Sequence, residues 1–243
     1  MPWKRIREIS FAGCGVLNFY QAGVCERLIE EIPPENIVWS GASAGAGMSI
    51  VAALGIPPRA VVDSVMAELG RHPAGAKLRP AWAQAIGERF IEDFLRPGDF
   101  ERLRGRVSIS ISRLQPLSNI LITEFHDDDD LHDAIRASCH WPWFSQWTSQ
   151  FRGMPCVDGG ITNNQPRRFP DALCVSPFHW GSSDSIGPSR VIDPLNAFLV
   201  PSSRSVAKWL SLGRRDADVW LREGRRVGPR ISLPTLPAQR FIA

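Results

Sequence analysis

The segment "VWSGASAGAG", Val38 to Gly47, sets a single serine, Ser43, between two alanines and two glycines, after a short apolar run and before a small-residue helical one. A serine at a strand-to-helix turn is forced into a strained conformation that projects its hydroxyl outward, provided its neighbours leave room for the turn. Gly41 and Gly45 leave that room, and Ala42 and Ala44 keep the approach open. The helix N-terminus behind the serine favours negative charge developing beside it. Nucleophilic attack by a serine hydroxyl is the chemistry this arrangement implies.

Such a serine needs a base. The five histidines, His72, His126, His132, His140 and His179, lack a distinctive setting, and the last two stand beside tryptophans, where a packed aromatic role is the commoner one. The other candidate lies in "CVDGGITNNQP". Asp158 ends a predicted strand, and the two glycines after it allow a sharp turn and a close backbone approach, so its carboxylate is able to reach a neighbouring strand end. A third segment, "SFAGCGVLNFY", places Gly13 and Gly15 around Cys14. It starts like a dinucleotide fingerprint but fails at the third glycine, where Asn18 stands.

Taken in order and with their intervals, "SFAGCGVLNFYQAGV", "GASAG" and "VDGGITNNQP" resemble the patatin-like phospholipases. With "GRVSISISRL", "ASCHWP" and "VSPF", they are most similar to the animal branch that contains adipose triglyceride lipase and adiponutrin. The resemblance runs from about Ser10 to Phe178. It implies a three-layer α/β/α fold with a mostly parallel central sheet, Ser43 as nucleophile and Asp158 as its base. It further implies an oxyanion hole from the backbone of Gly13, Cys14 and Gly15, and no metal or organic cofactor. Asn18 replaces a glycine usual in the family, and asparagine tolerates a left-handed backbone better than most residues.

The implied activity is hydrolysis of fatty acyl esters, of triacylglycerol or of phospholipid. A catalytically weak lipid-binding or regulatory protein and a small-ester hydrolase stay open as alternatives. The implied partners are a lipid substrate at a membrane or lipid-droplet surface and a protein co-activator, with no nucleic acid.

The elements that must position these residues are legible as patterns. Residues 6–12 read as a strand, "NFYQAGVCERLIEEI" as a helix stopped by Pro33 and Pro34, "NIVWS" as a strand, and "AGAGMSIVAALG" as a buried helix ended by Gly55. That succession is the signature of a parallel α/β sheet. Two more helical periods follow, then "RVSISISRL" and "NILITEF" as a hairpin, and "DDDDLHDAIRASC" as a helix whose aspartates serve its N-terminus. "CVDGG" and "ALCVSP" are further strands. "SVAKWLSLGRRDADVWLREGRRV" reads as one or two amphipathic helices, with Trp209, Leu212, Trp220 and Leu221 among arginines and lysines, a composition compatible with a lipid-surface helix. Residues 1–180 are expected to form the acyl hydrolase domain, and 181–243 a loop and helical extension packed on it.

At 243 residues and 44% hydrophobic content the chain has enough material for a sizeable core. The net charge of +3 permits attraction to anionic surfaces without pointing to nucleic acid. Five scattered cysteines with no CxxC pair argue against a disulfide framework or a zinc site. No signal-peptide-like stretch or membrane-spanning run is present, and the expectation is a cytoplasmic protein, peripheral on a membrane or lipid droplet. The cluster Trp141, Trp143, Phe144 and Trp147 is read as either core or an aromatic rim at a lipid interface.

Overall fold

The computed structural model describes residues 6–142, 148–178, 185–224, 227 and 240–242. It is an α/β fold built on a mixed sheet of nine strands among those residues. Strand β1 (Glu8–Phe11) leads through a glycine turn into helix α1 (Asn18–Glu31). Strand β2 (Val38–Ala42) leads into α2 (Ala44–Leu54), which Gly55 ends in a left-handed cap. Helices α3 (Pro58–Leu69), α4 (Pro80–Phe94) and the short α5 (Asp99–Leu103) precede the hairpin β3 (Val107–Leu114) and β4 (Leu117–Ile122). Helix α6 (Asp128–Ser138), strands β5 (Ser149–Phe151) and β6 (Met154–Asp158), and the single turn α7 (Gly160–Asn163) follow. The described chain closes with β7 (Leu173–Val175), β8 (Ser185–Ile186), α8 (Ser203–Glu223) and β9 (Arg240–Ile242).

The centre of the sheet is parallel: β3, β2, β1, β7 and β8 lie side by side in that order and run the same way. Strand β3 is longer than its neighbours, and this decides the architecture. Along one edge it carries β4 from Ile109 to Leu114. Its other edge is divided: β2 pairs in parallel with Val107 to Ser110, and β6 pairs antiparallel with Ile111 to Arg113. The two strands therefore approach each other head-on. β2 stops at Ala42 opposite Ser110, and β6 stops at Asp158 opposite Ile111.

Side chains alternate across the strands. Ile9, Phe11, Trp39, Ile109 and Ile111 enter the hydrophobic core with residues of α1 and α2, and the Phe11 and Trp39 rings stack at 6.2 Å. In the alternate positions, Ser10, Ser40, Ser108, Ser110 and Ser112 are buried, and Ser10, Ser40 and Ser108 share one register row. Their small side chains admit the segment after β6. Ser110 and Ser112 donate to carbonyls of residues 158, 159 and 163, and Ser10 donates to the Pro166 carbonyl.

Three of the four aspartates opening α6 are employed. Asp127 caps the helix by accepting the Asp130 N–H at 2.8 Å, Asp128 accepts the Gly98 N–H at 2.8 Å, and Asp130 pairs with Arg152 at 2.7 Å.

Helix α8 is a single helix, and it does not lie on the surface as a free amphipathic element. Trp209, Leu212 and Trp220 are buried, so the apolar face that is also compatible with a lipid surface is spent on the core. The packing against α1 is close. A Cβ at Gly213 would overlap the Tyr20 carbonyl, and one at Gly23 would overlap that of Leu210. Beside this crossing the Tyr20 hydroxyl donates to the buried Asp216 at 3.1 Å. Gly213→Val should therefore overpack the crossing, costing about 1–3 kcal/mol and lowering the thermal midpoint by about 3–10 °C. Ala207→Val, on the exposed side of the same helix, should leave the midpoint nearly unchanged in the same melt.

Candidate active site

Where β2 and β6 meet, the chain leaves the sheet twice. Ser43 is the first residue past β2 and the N-cap of α2, at φ 53° and ψ −131°. A positive φ on a non-glycine residue costs about 1–3 kcal/mol, and it is held here by its surroundings. Strand and helix cross so closely at this turn that a Cβ at Gly41 would strike the Gly45 backbone, and one at Gly45 the carbonyls of Phe11 and Ala12. The "GASAG" composition is thus a packing requirement of the elbow. Two serines fix its backbone: the Ser43 N–H donates to Ser138 Oγ at 2.9 Å, and Ser138 Oγ donates in turn to the Ser110 carbonyl at 2.7 Å.

Asp158, the last residue of β6, is 2% exposed and lies beside Ser43 in the lining of one cavity. Its Oδ1 also accepts the Gly160 N–H at 2.7 Å, its own N–H donates to the His140 carbonyl at 2.8 Å, and its carbonyl accepts from Ser112 at 2.7 Å. Burial pushes its pKa up to about 7, with the nearby Ser43 hydroxyl and the Gly160 N–H opposing. The carboxyl is thus poised to exchange a proton near neutrality. The histidines are elsewhere or outside the described residues. His72 stacks on Trp82 at 3.5 Å, His126 is exposed, His140 meets Asp158 through its backbone carbonyl, and His179 is not among the described residues.

The glycine loop comes to the same place, with one correction. Gly13 does not present a free N–H, because that group donates to the Asn164 carbonyl at 3.1 Å. Its part is to tie the loop to the turn after Asp158. Cys14 and Gly15 line the cavity in front of Ser43, Gly15 at φ 54°, and neither N–H has an acceptor among the described residues. A second correction concerns Asn18. Helix α1 begins there, so its backbone is right-handed at φ −56°, and its tolerance for the left-handed region is not used. Its side-chain oxygen is instead buried without a partner in the wall of a cavity.

Two cavities open on Ser43. One, of about 180 Å³, is apolar, with Phe19, Val51, Val62, Leu78, Ile86 and Phe90 in its walls. The other, of about 460 Å³, lies in front and reaches Asp158, Trp141, Phe178 and Phe198. Cys139 borders both. Its thiol is open to the cavities yet ringed by protein. That enclosure, and secondarily the Asp158 carboxylate, pushes its ionisation well up, so it stands protonated.

The local sequence marks Ser138 and Cys139 only by the run of small residues, "ASC", that closes an amphipathic helix. Of the aromatic cluster, Trp141 is half-buried with its ring 6.0 Å from that of Phe198, whereas Trp143, Phe144 and Trp147 lie outside the described residues.

An elbow serine beside a buried carboxylate, beneath a glycine loop on an α/β sheet, is an arrangement suited to serine acyl transfer. The family model described as patatin-like phospholipase matches residues 9–170, and the chain belongs to that family. It is similar to the human 1-acylglycerol-3-phosphate O-acyltransferase PNPLA3, 32% identical over 183 residues, covering 71% of this chain and 37% of that protein. It is also similar to the human patatin-like phospholipase domain-containing protein 2, 31% identical over 192 residues, with 75% and 38% covered. The human omega-hydroxyceramide transacylase is 29% identical over 180 residues, with 70% and 34% covered. The chain thus spans less than half the length of these relatives. Among solved structures, VipD from Legionella pneumophila shares the fold, with a TM-score of 0.54 at 12% identity over 90% of this chain and 67% of that one. No helix among the described residues is long and apolar enough to cross a membrane.

The raised pKa of Asp158 has a thermodynamic signature. Its native value, about 7, lies above the 3.8 of a free aspartate. Between those values the native state binds the extra proton, so its contribution to stability is present at low pH and lost as pH rises toward 7. From about pH 5 to about pH 8 the loss should be on the order of 3 kcal/mol. Asp158→Asn, which cannot titrate, should lack this component, so its advantage over the parent in urea unfolding should grow across that interval.

Proposed function

We propose that this protein is a serine lipid acyl hydrolase in which Ser43 and Asp158 form a catalytic dyad acting on fatty acyl esters. The observation that carries the reading is the convergence of an elbow serine and a buried carboxyl of pKa about 7 on one cavity, with an apolar second cavity opening on the same serine. Asp158 accepts the Ser43 proton as Oγ attacks the ester carbonyl and returns it to the leaving alcohol. Water, deprotonated by the same carboxylate, then cleaves the acyl-enzyme. A free aspartate is too weak a base for this at neutral pH, whereas the buried one is matched to it. Cys14 and Gly15 supply N–H groups to the oxyanion, assisted by the N-terminus of α2. The apolar cavity receives the acyl chain and the front cavity the leaving group. Family membership supports this reading.

The size of the front cavity favours a second outcome for the same acyl-enzyme. At about 460 Å³ it has room for an acceptor alcohol larger than water. Attack by that hydroxyl, its proton passing to Asp158, transfers the acyl group and frees Ser43. Two of the human relatives carry the names of an acyltransferase and a transacylase. Supplying monoacylglycerol or a lysophospholipid beside a labelled acyl donor separates transfer from hydrolysis.

A fluorophosphonate ester probe should label Ser43, located by mass spectrometry. Ser43→Ala should lower hydrolysis of triolein emulsion, phosphatidylcholine vesicles and short esters by at least about a thousandfold. With the parent enzyme, kcat/KM should rise with pH and reach half its plateau near 7 as Asp158 ionises. An adduct on another serine, or activity indifferent to Ser43, would return the protein to a lipid-binding or regulatory role.

A further inference from the structure

Five large apolar side chains are exposed among the described residues: Leu117, Ile161, Val191, Leu195 and Phe198. Isolated exposures of this kind are ordinary. Three of the five, however, fall between positions 191 and 198, at 77%, 69% and 37% exposure. Residues 194–198 form a 3₁₀ helix, in which side chains three apart eclipse, so Leu195 and Phe198 share one edge. That edge is the rim of the site. Ala197 and Phe198 line the same cavity as Ser43 and Asp158.

The edge is also firmly supported. Leu78 donates to the Phe198 carbonyl, Val200 to that of Ala76, and Gly75 to that of Val200, each at 2.8 Å. The Ala197 carbonyl occupies the space that a Cβ at Gly15 would need, so the helix rests directly on the glycine loop. The apolar side chains are thus held out to solvent by a support that cannot fold them inward without disturbing the site.

Cations flank this edge. Lys77 and Arg79 lie on the segment paired with it, Arg190 precedes it, and Arg204 and Lys208 follow on the outer face of α8; all five are exposed. None forms an ion pair with another described residue, although the Arg79 guanidinium lies over the Trp82 ring at 5.3 Å. The carboxylate within the stretch, Asp193, is engaged as N-cap of the 3₁₀ helix, accepting the Leu195 N–H at 2.9 Å. An apolar ridge set among unpaired cations is complementary to a surface with an anionic face over a hydrocarbon interior. A second copy of this chain would bring the same cations against themselves.

We propose that the rim formed by Val191, Leu195 and Phe198, with Lys77, Arg190 and Arg204 around it, docks this protein on an anionic lipid bilayer. The inference rests on the reading of Ser43 as acting on lipid esters. Docked in this way, the front cavity faces the bilayer, and an ester reaches Ser43 without crossing water.

The test uses the full chain and vesicles of phosphatidylcholine alone or of equal parts phosphatidylcholine and phosphatidylserine. The parent should sediment with the mixed vesicles, more weakly with phosphatidylcholine alone, and less as salt is raised. Val191→Ser and Leu195→Ser should each weaken binding about tenfold or more, and Arg190→Glu and Arg204→Glu each about fivefold or more. All four should keep the parental thermal midpoint, fluorophosphonate labelling and turnover of a short soluble ester. Unaltered vesicle binding in the Val191 and Leu195 variants overturns the docking surface while leaving the Ser43 chemistry standing. Loss of the Ser43-dependent ester turnover in the parent itself would instead remove the reading beneath it. A concentration-dependent dimer that Leu195→Ser dissolves would assign the ridge to a second copy and likewise overturn the proposal.

Discussion

Everything at this site depends on two strands sharing one edge of a third. Because β3 is long enough to pair with β2 along its first half and with β6 along its second, strands from segments more than a hundred residues apart are stopped against each other. The first residue past β2 and the last residue of β6 must then be neighbours. Ser43 and Asp158 meet because the hydrogen-bond ladder of β3 stops Ala42 and Asp158 one register step apart, and Ser43 is the residue that follows Ala42.

The remaining features keep this junction tight and dry. The buried serines of β1, β2 and β3 make one face of the sheet shallow enough for the chain beyond Asp158 to pass beneath it, and the hydroxyls of Ser10, Ser110 and Ser112 satisfy carbonyls of that segment. Ser138 closes the other side by joining the elbow to β3. A carboxyl enclosed in this way does not ionise easily, and the fold sustains it with a backbone N–H and a hydroxyl instead of a cation. The same burial that weakens the fold above neutral pH turns an ordinary aspartate into a base.

Much of this was written locally. The turn after β1, the elbow of "GASAG" and the strand ending in "VDGG" are each compressed into a few residues of restricted type, because tight turns and close crossings exclude most side chains. Helix periods and proline stops placed α1 to α4, and the β-branched alternation placed β3 and β4. What stayed hidden was relational. That β3 divides an edge between two strands is a matter of pairing, and no local pattern in "VSISISRL" states it. The donation of Gly13 to Asn164 depends on a turn 150 residues away, so an N–H that looked available in "GCG" is spent. For α8 the amphipathic pattern implies an apolar face against the domain or against lipid, without deciding between them. The sequence shows an apolar face, and only the facing glycines of α1 and α8 show that another helix covers it.

The bond from Gly13 to Asn164 has a dynamic meaning. With Gly160 bound to Asp158, and Ser43 bound through Ser138 to β3, the glycine loop, the elbow and the aspartate turn form a closed circuit of short-range links. A fluctuation that lifts the loop must also pull on the turn that orients the base, and one that loosens the elbow strains the strand on which β6 ends. Local unfolding here is therefore cooperative, with no low-energy state in which the nucleophile is formed and its base is not. The site exists whole or opens as a unit.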